Sequence, residues 1–307
     1  MALDSIQLEL LKQVADLHEV PQGAYSLRIN GALHGKNSSE NITIVQKTDK
    51  PGIDIYIKAG TKKESVHIPV ILSQAGITEL VYNDFHIGEG ADVTIVAGCG
   101  IHTSGSEKSE HSGIHAFYLA KGARVKYVEK HYGSGDGNGE RVMNPTTEVY
   151  MAEDSYMEME TAQIKGVDST DRITKAELAA HATLIVHEKL MTHGSQFAKT
   201  TFEVSLNGEG SGTHVVSRAV AKDNSRQVFL SKIHGNNRCS GHTECDAILM
   251  DSAVISAIPE ISASHVDAAL IHEAAIGKIA GEQLMKLMTL GLTEQEAEEQ
   301  IINGFLK

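Results

Sequence analysis

Leu119-Ala120-Lys121-Gly122-Ala123-Arg124-Val125, Met151-Ala152-Glu153-Asp154-Ser155-Tyr156-Met157 and Leu178-Ala179-Ala180-His181-Ala182-Thr183-Leu184 follow one pattern: a bulky apolar residue, a short polar or Gly/Ala turn, then an alternating strand. Met250-Asp251-Ser252-Ala253-Val254-Ile255 repeats it further on. The first three begin about 30 residues apart, a period at which repeats mean stacked coils or solenoids. The spacing predicts a mainly β protein built as a β-helix; a β-sandwich with regular turns carries similar signals. Outward from these turns the chain stays β-rich. Ile53-Asp54-Ile55-Tyr56-Ile57 alternates, and Val93-Thr94-Ile95-Val96 and Phe117-Tyr118-Leu119 are compact apolar runs.

Both ends read as helical. Asp4 with Gln7 resembles a capped start, and Ile6, Leu10, Leu11, Val14 and Leu17 follow a helical stripe until Pro21. Ile279, Leu284, Leu287 and Met288 make a stripe that stops at Gly291, and Thr293 with Glu296 opens a second helix through Ala297 and Ile301 to Gly304. The expected organisation is a leading helical segment over 1–40, a β-helix core over 41–270 and a C-terminal helical hairpin over 271–307. The hairpin either caps the open edge of the solenoid or docks a partner.

Composition limits the function. The 307 residues are 41% apolar, sufficient for a sizeable core. Forty acidic against 27 basic residues leave a net charge of −13, which argues against nucleic acid and anionic membrane as partners. The N-terminus lacks a leader pattern and no segment approaches roughly 18 consecutive apolar residues, so a cytoplasmic protein is expected. Cys99, Cys239 and Cys245 make no disulfide framework and read as reduced thiols. No GxxxxGK[ST] loop occurs, so this chain is expected to bind no nucleotide.

The chemistry concentrates near the C-terminus, in Glu244-Cys245-Asp246 and Leu270-Ile271-His272-Glu273-Ala274. A thiolate, an imidazole and a carboxylate can together hold iron, with the last two completing a labile shell. The plain alternative makes Cys245 a small buried hydrophobe and has His272 and Glu273 begin a helix. Cys239, beside Arg238, is a possible extra ligand or sulfur acceptor, or an ordinary turn cysteine. Cys99, His102, His111 and His115 form a second candidate metal group with a Cys-x-x-His spacing. Against it stand a Gly/Ser-rich intervening loop and a spacing that fits no closed finger. His242 and His265 stand out because they lie near these motifs in sequence, while histidines such as His131, His187 and His214 read as surface or hydrogen-bonded core residues.

Glu244-Cys245-Asp246, His272-Glu273-Ala274, Gly277-Lys278-Ile279, Glu282-Gln283-Leu284 and the closing Gly291-Leu292 … Ala297 … Ile301-Ile302-Asn303-Gly304-Phe305 resemble the SufB/SufD scaffold family of the SUF iron–sulfur system. The resemblance covers most of the chain beyond about residue 90, and in its length the chain is similar to compact archaeal and anaerobe-type members. It implies a right-handed parallel β-helix with helical ends, and an ABC-type, SufC-like ATPase docked on residues 278–305. It also implies a transient iron–sulfur cluster, [4Fe-4S] or [2Fe-2S], built at an interface between two β-helices and handed to apo iron–sulfur proteins. Cys245 matches the scaffold cysteine and Glu273 the acidic ligand; His272 sits where SufD-type members carry an interface histidine. One chain holding both halves' groups implies a homodimer. The upstream cysteines of bacterial SufB are reduced here to Cys99 and Cys239, which leaves the sulfur route open. Two other readings compete: a structural ATPase anchor without a cluster, and a β-helix polysaccharide enzyme, disfavoured for want of a secretion signal and an aromatic sugar-stacking surface.

Overall fold

In the computed structural model, residues 3–307 are described. Two ten-stranded sheets form its body. Through the main body, successive strands alternate between the sheets, and each pairs in parallel with the strand one coil on. Ser169 pairs with Phe197, Phe197 with Arg226 and Arg226 with Val254, so the later coils take 28 or 29 residues, whereas Asp92 with Arg124 and Arg124 with Tyr156 give earlier coils of 32. The architecture is a parallel β-helix of about eight turns.

The turns that set the repeat in the sequence line up along one corner. Gly60, Gly90, Gly122, Asp154, His181 and Gly210 all have positive φ, between 58° and 71°. The Gly122 amide donates to the Glu153 carbonyl, Asp154 to Ala180 and His181 to Glu209, so each corner is bonded to the next. Glycine takes this left-handed conformation freely, whereas a side chain there costs roughly 1–2 kcal/mol. Met250–Ile255 forms the opposite corner, where Asp251 has φ 54°. Between corners, every second side chain points inward and stacks on its counterparts in neighbouring coils, as Phe85 does on Phe117 with ring centroids 4.4 Å apart.

The first helix, α1 (Ser5–Ala15), starts at the Asp4–Gln7 capping box and ends at Asp16, whose φ of 55° turns the chain before Leu17. Its Leu10, Leu11 and Val14 lie on the outer face of the first sheet. The close approach requires glycine beneath it: a Cβ on Gly98 would sit 2.5 Å from the Val14 carbonyl oxygen. At this end the interior is closed, with Ile42 fully buried.

The β-structure extends further than 41–270. Strands Ala24–Ile29 and Ala32–Asn37 already belong to the first sheet, and the last strand, Ala268–Gly277, runs past residue 271. Ala268–Gly277 is rich in good helix formers, yet its ten-residue ladder with Cys239–Leu249 overrides that propensity. Helices α2 (Gly281–Thr289) and α3 (Glu294–Phe305) follow, the latter opened by the reciprocal Thr293–Glu296 capping box. Ile302 and Leu306 pack on Val220, with Met191, Ile248 and Met250 around them. These are outward positions of the first sheet, so the hairpin lies on its flank and does not cap the last coil.

The interior is not uniformly apolar. Buried Arg172 donates to Glu129 and lies 3.9 Å from Glu188 and 3.2 Å from His131 Nδ1. Tyr127 links the group to His115, whose Nδ1 is 2.8 Å from the phenol oxygen. Burial pushes His115 down to about 4, against the opposing pull of Glu129. Between its unfolded value of 6.5 and about pH 4, the unfolded chain binds a proton that the folded chain refuses. The stability from this group is therefore complete above pH 6.5 and lost as the pH falls. Glu129 acts in the same sense at lower pH: burial would raise its pKa, Arg172 outweighs burial, and the resulting stability is lost as pH falls below about 4.5. Urea unfolding at pH 7.5 and pH 5.0 is expected to differ by about 2 kcal/mol through His115 alone, a difference that His115→Asn removes. Equal pH dependence in the two proteins would contradict the assignment.

Candidate functional site

The last coil is open. Ile261 and Ile276 occupy inward positions of its two strands, Val254–Ala263 and Ala268–Gly277, yet they are 43% and 42% exposed because no further coil covers them. Both strands also lie at the ends of their sheets, with one backbone edge unpaired by any strand.

Cys245 lies one coil inside this mouth. It faces inward on Cys239–Leu249, between Ser217 and Ala274 in register, and is 1% exposed. Burial raises its thiol pKa to about 12, with the charges of Glu188 and Asp246 adding to the effect. Glu188 is itself held by the hydroxyls of Thr200 and Ser217 at 2.8 and 2.7 Å. The sulfur is thus a protonated thiol until something displaces its proton, which a metal ion can do.

His272 aligns with inward-facing Thr243 and so shares the interior with Cys245. Neither of its ring nitrogens has a hydrogen-bond partner, and burial, aided by the charge of His242, lowers its pKa. That leaves a neutral-leaning imidazole at the mouth with one free lone pair and one unmatched N–H. Glu273 is different. As the next residue along a strand it points to the outer face, where its Oε2 is 3.5 Å from His242 Nε2. Within one chain, Cys245 and His272 share the interior while Glu273 stands on the other side of the sheet.

Cys239 faces inward on the same strand, but six residues separate it from Cys245, about 20 Å of extended chain. Arg238, which suggested an activated thiolate, pairs instead with Glu209. Of the upstream group, Cys99, His111 and His115 face inward, with His111 Nδ1 3.4 Å from buried Glu79. His102 lies outside, bonded to Ser134. Burial, with the charges of Glu79 and Glu129, pushes the Cys99 thiol well up. Among the described residues, the trio whose ligand atoms all lie within 4.8 Å of one another is a different one: His214, His242 and Glu244.

Residues 74–305 match the family described as SUF system FeS cluster assembly, SufBD core domain. The chain belongs to this family. A SufBD family iron–sulfur cluster assembly protein of Methanothermobacter thermautotrophicus is 31% identical over 238 residues, 75% of this chain and 56% of that protein. Another from Methanocaldococcus jannaschii is 29% identical over 256 residues, covering 82% of this chain and 79% of the relative. One from Archaeoglobus fulgidus is 29% identical over 277 residues, 89% of this chain and 72% of the relative. The chain thus spans little more than half the length of its Methanothermobacter relatives.

Three features of this SufBD core are not apparent from the sequence: the interior Arg172 network, the outer trio and an aromatic ladder. The second carried a signal. His214 and His242 are 28 residues apart and Glu244 and Glu273 are 29 apart, each one coil length, so both pairs had to stack. In the aromatic ladder, Tyr56, His86, Tyr118 and Tyr150 stack at 4.8, 5.1 and 5.2 Å on the outside of the second sheet. Their faces cover one another and leave mostly edges to solvent, so the ladder offers little open ring face to a sugar. Among the described residues no helix is long and apolar enough to cross a membrane.

Proposed function

We propose that this SufBD-family chain is a scaffold, and not an enzyme, on which a transient [4Fe-4S] or [2Fe-2S] cluster is assembled in the cytoplasm and passed to apo iron–sulfur proteins. Family membership supports a role in iron–sulfur cluster assembly. The observation that carries the finer reading is the uncapped last coil, with Cys245 just inside it and the unpartnered nitrogens of His272 at its mouth. A soft thiolate anchors iron, and an imidazole and the carboxylate of Glu273 complete a shell that is readily given up. Glu273 and Cys245 stand on opposite faces of one sheet, so a shared cluster needs a second copy meeting this end about a two-fold axis. The apolar mouth and the two unpaired strand edges favour such a homodimer. Anaerobic incubation with ferrous iron and sulfide, with iron and sulfide counted per chain, tests this reading; a chain that stays colourless contradicts it.

ATP acts through the partner. Helix α2 carries Met285 at 61% exposure and Met288 and Leu290 beside it, an uncovered apolar face within residues 278–305 that suits an ABC-type ATPase. Nucleotide-driven closure of two ATPase subunits would pull on α3 and, through its contacts with Val220 and Ile248, on the last coils. Met285→Glu combined with Met288→Glu is expected to abolish co-purification of the ATPase while leaving the melting temperature unchanged. Retained co-purification would refute this docking surface. A second reading, a structural ATPase anchor without its own cluster, is favoured by the high pKa of the Cys245 thiol, which leaves no thiolate in the isolated chain.

A further inference from the structure

The outer face of the first sheet carries a constellation of which the scaffold reading uses only Glu273. His214, on Gly212–Ala221, and His242, on Cys239–Leu249, are register partners one coil apart, with rings stacked at a centroid distance of 5.0 Å and an interplanar angle of 8°. Glu244 lies two residues beyond His242 on the same face, and its Oε1 is 3.6 Å from His214 Nε2. Glu273 pairs with Glu244 in register and places its Oε2 3.5 Å from His242 Nε2. The Nε2 atoms of His214 and His242 are both screened from solvent, and neither makes a hydrogen bond.

Two screened imidazole nitrogens without partners are unusual, because each carries the desolvation cost of an unmet polar group. The carboxylates approach them without reaching hydrogen-bond geometry. A cation placed between these groups would accept both nitrogen lone pairs and neutralise the carboxylates. Two imidazoles and a carboxylate, with a further carboxylate in reach, make a donor set for ferrous iron and zinc; calcium and magnesium take oxygen shells instead. Ligand atoms about 2.1 Å from one ion lie about 3.0–3.5 Å apart. The trio already falls within 4.8 Å, so side-chain rotation closes the shell with the ladder intact.

We propose that His214, His242 and Glu244, with Glu273 as fourth ligand, bind one divalent transition-metal ion, ferrous iron in the cell. The site lies on the opposite face of the strand that carries Cys245. The metal site rests on this geometry alone; the choice of ferrous iron over zinc, and its use as a station for iron on the way to a cluster, rest on the scaffold reading. Glu273 is the ligand common to both, since it sits on the last strand beside the open end.

The test is an anaerobic titration of the full chain, free of sulfide, with cobalt(II) and with ferrous iron. The expected result is one ion per chain, with visible cobalt bands of nitrogen and oxygen ligation and no thiolate-to-cobalt charge-transfer band, unchanged in Cys245→Ser. His214→Ala, His242→Ala and the near-isosteric Glu244→Gln should each weaken binding by at least about tenfold, since loss of even an outer-shell partner costs 10–100-fold. In the unaltered chain, bound cobalt should also protect His214 and His242 from diethylpyrocarbonate, a readout that does not depend on how the variants fold. Absence of stoichiometric binding overturns the proposal. So does binding that survives all three substitutions, loss of binding in Cys245→Ser, or modification of both histidines unaffected by cobalt. Cobalt binding that persists where cluster reconstitution fails refutes the scaffold reading and leaves this site standing.

Discussion

Cys245→Ser is expected to abolish cluster formation on the reconstituted chain while leaving the fold intact. The two halves of that expectation have separate causes. Serine keeps the volume of the buried side chain, and its hydroxyl falls among Ser217, Thr200 and Glu188, groups that can accept or share a hydrogen bond. A stability change within about 1.5 kcal/mol follows from such a near-isosteric exchange. Iron, however, loses its one thiolate at the mouth of the coil, because Cys239 lies about 20 Å away along the strand and Cys99 many coils distant. Anaerobic reconstitution followed by visible absorption and iron and sulfide counts reads the outcome. Loss of colour with an unchanged melting temperature makes Cys245 the anchor, and His272→Ala and Glu273→Gln are then expected to lower yield or retention. A serine variant that assembles a cluster as well as the unaltered chain would move the site to Cys239 or Cys99.

Arg172→Met is expected to cost about 3–5 kcal/mol of stability, among the largest losses of any single substitution in the interior. Arg172 stands between Glu129 and Glu188, and all three are buried. With the guanidinium gone, two buried carboxylates keep their hydroxyl donors and lose their counter-charge. Breaking a buried ion pair from one side costs about 3–5 kcal/mol. Glu129→Gln in the Arg172→Met background should recover much of that loss, since it removes the charge left unpaired. Coils in a solenoid communicate mainly with their neighbours, so hydrogen exchange resolved by coil is the sharper measurement. Protection should fall most in the strands Arg124–Ser134, Ser169–Leu178 and Thr183–Thr192. A drop under 1 kcal/mol in both readouts would mean that the network is solvated and contributes little.

Much of the architecture was legible because its determinants are local. The corner turns demand left-handed residues at regular intervals, and Gly122, Asp154 and His181 supply them close to one coil length apart. Both capping boxes, Asp4–Gln7 and Thr293–Glu296, are sealed within four residues of chain. What stayed hidden depends on faces and on partners a coil away. His272 and Glu273 are neighbours in sequence and opposites in space, because a strand turns each successive side chain over. The helical reading of residues 271–277 fails for a related reason: their ladder partner lies 29 residues upstream and outweighs local propensity. Arg172 reaches Glu129 across the gap between two sheets, 43 residues back, and nothing in its own stretch announces that contact.

The two ends of the solenoid are unlike. At one, strands Ala32–Asn37 and Ile42–Gln46 fold back antiparallel and Ile42 is sealed; at the other, Ile261 and Ile276 stand open above two free strand edges. A stack of parallel rungs with both ends exposed would be a fibre seed, each copy templating the next. The first end also has terminal strands, but Ala32–Asn37 and Ile42–Gln46 run antiparallel to their neighbours, which interrupts the parallel register that a growing stack requires. Growth by parallel strand addition is therefore confined to the open end, the one beside Cys245.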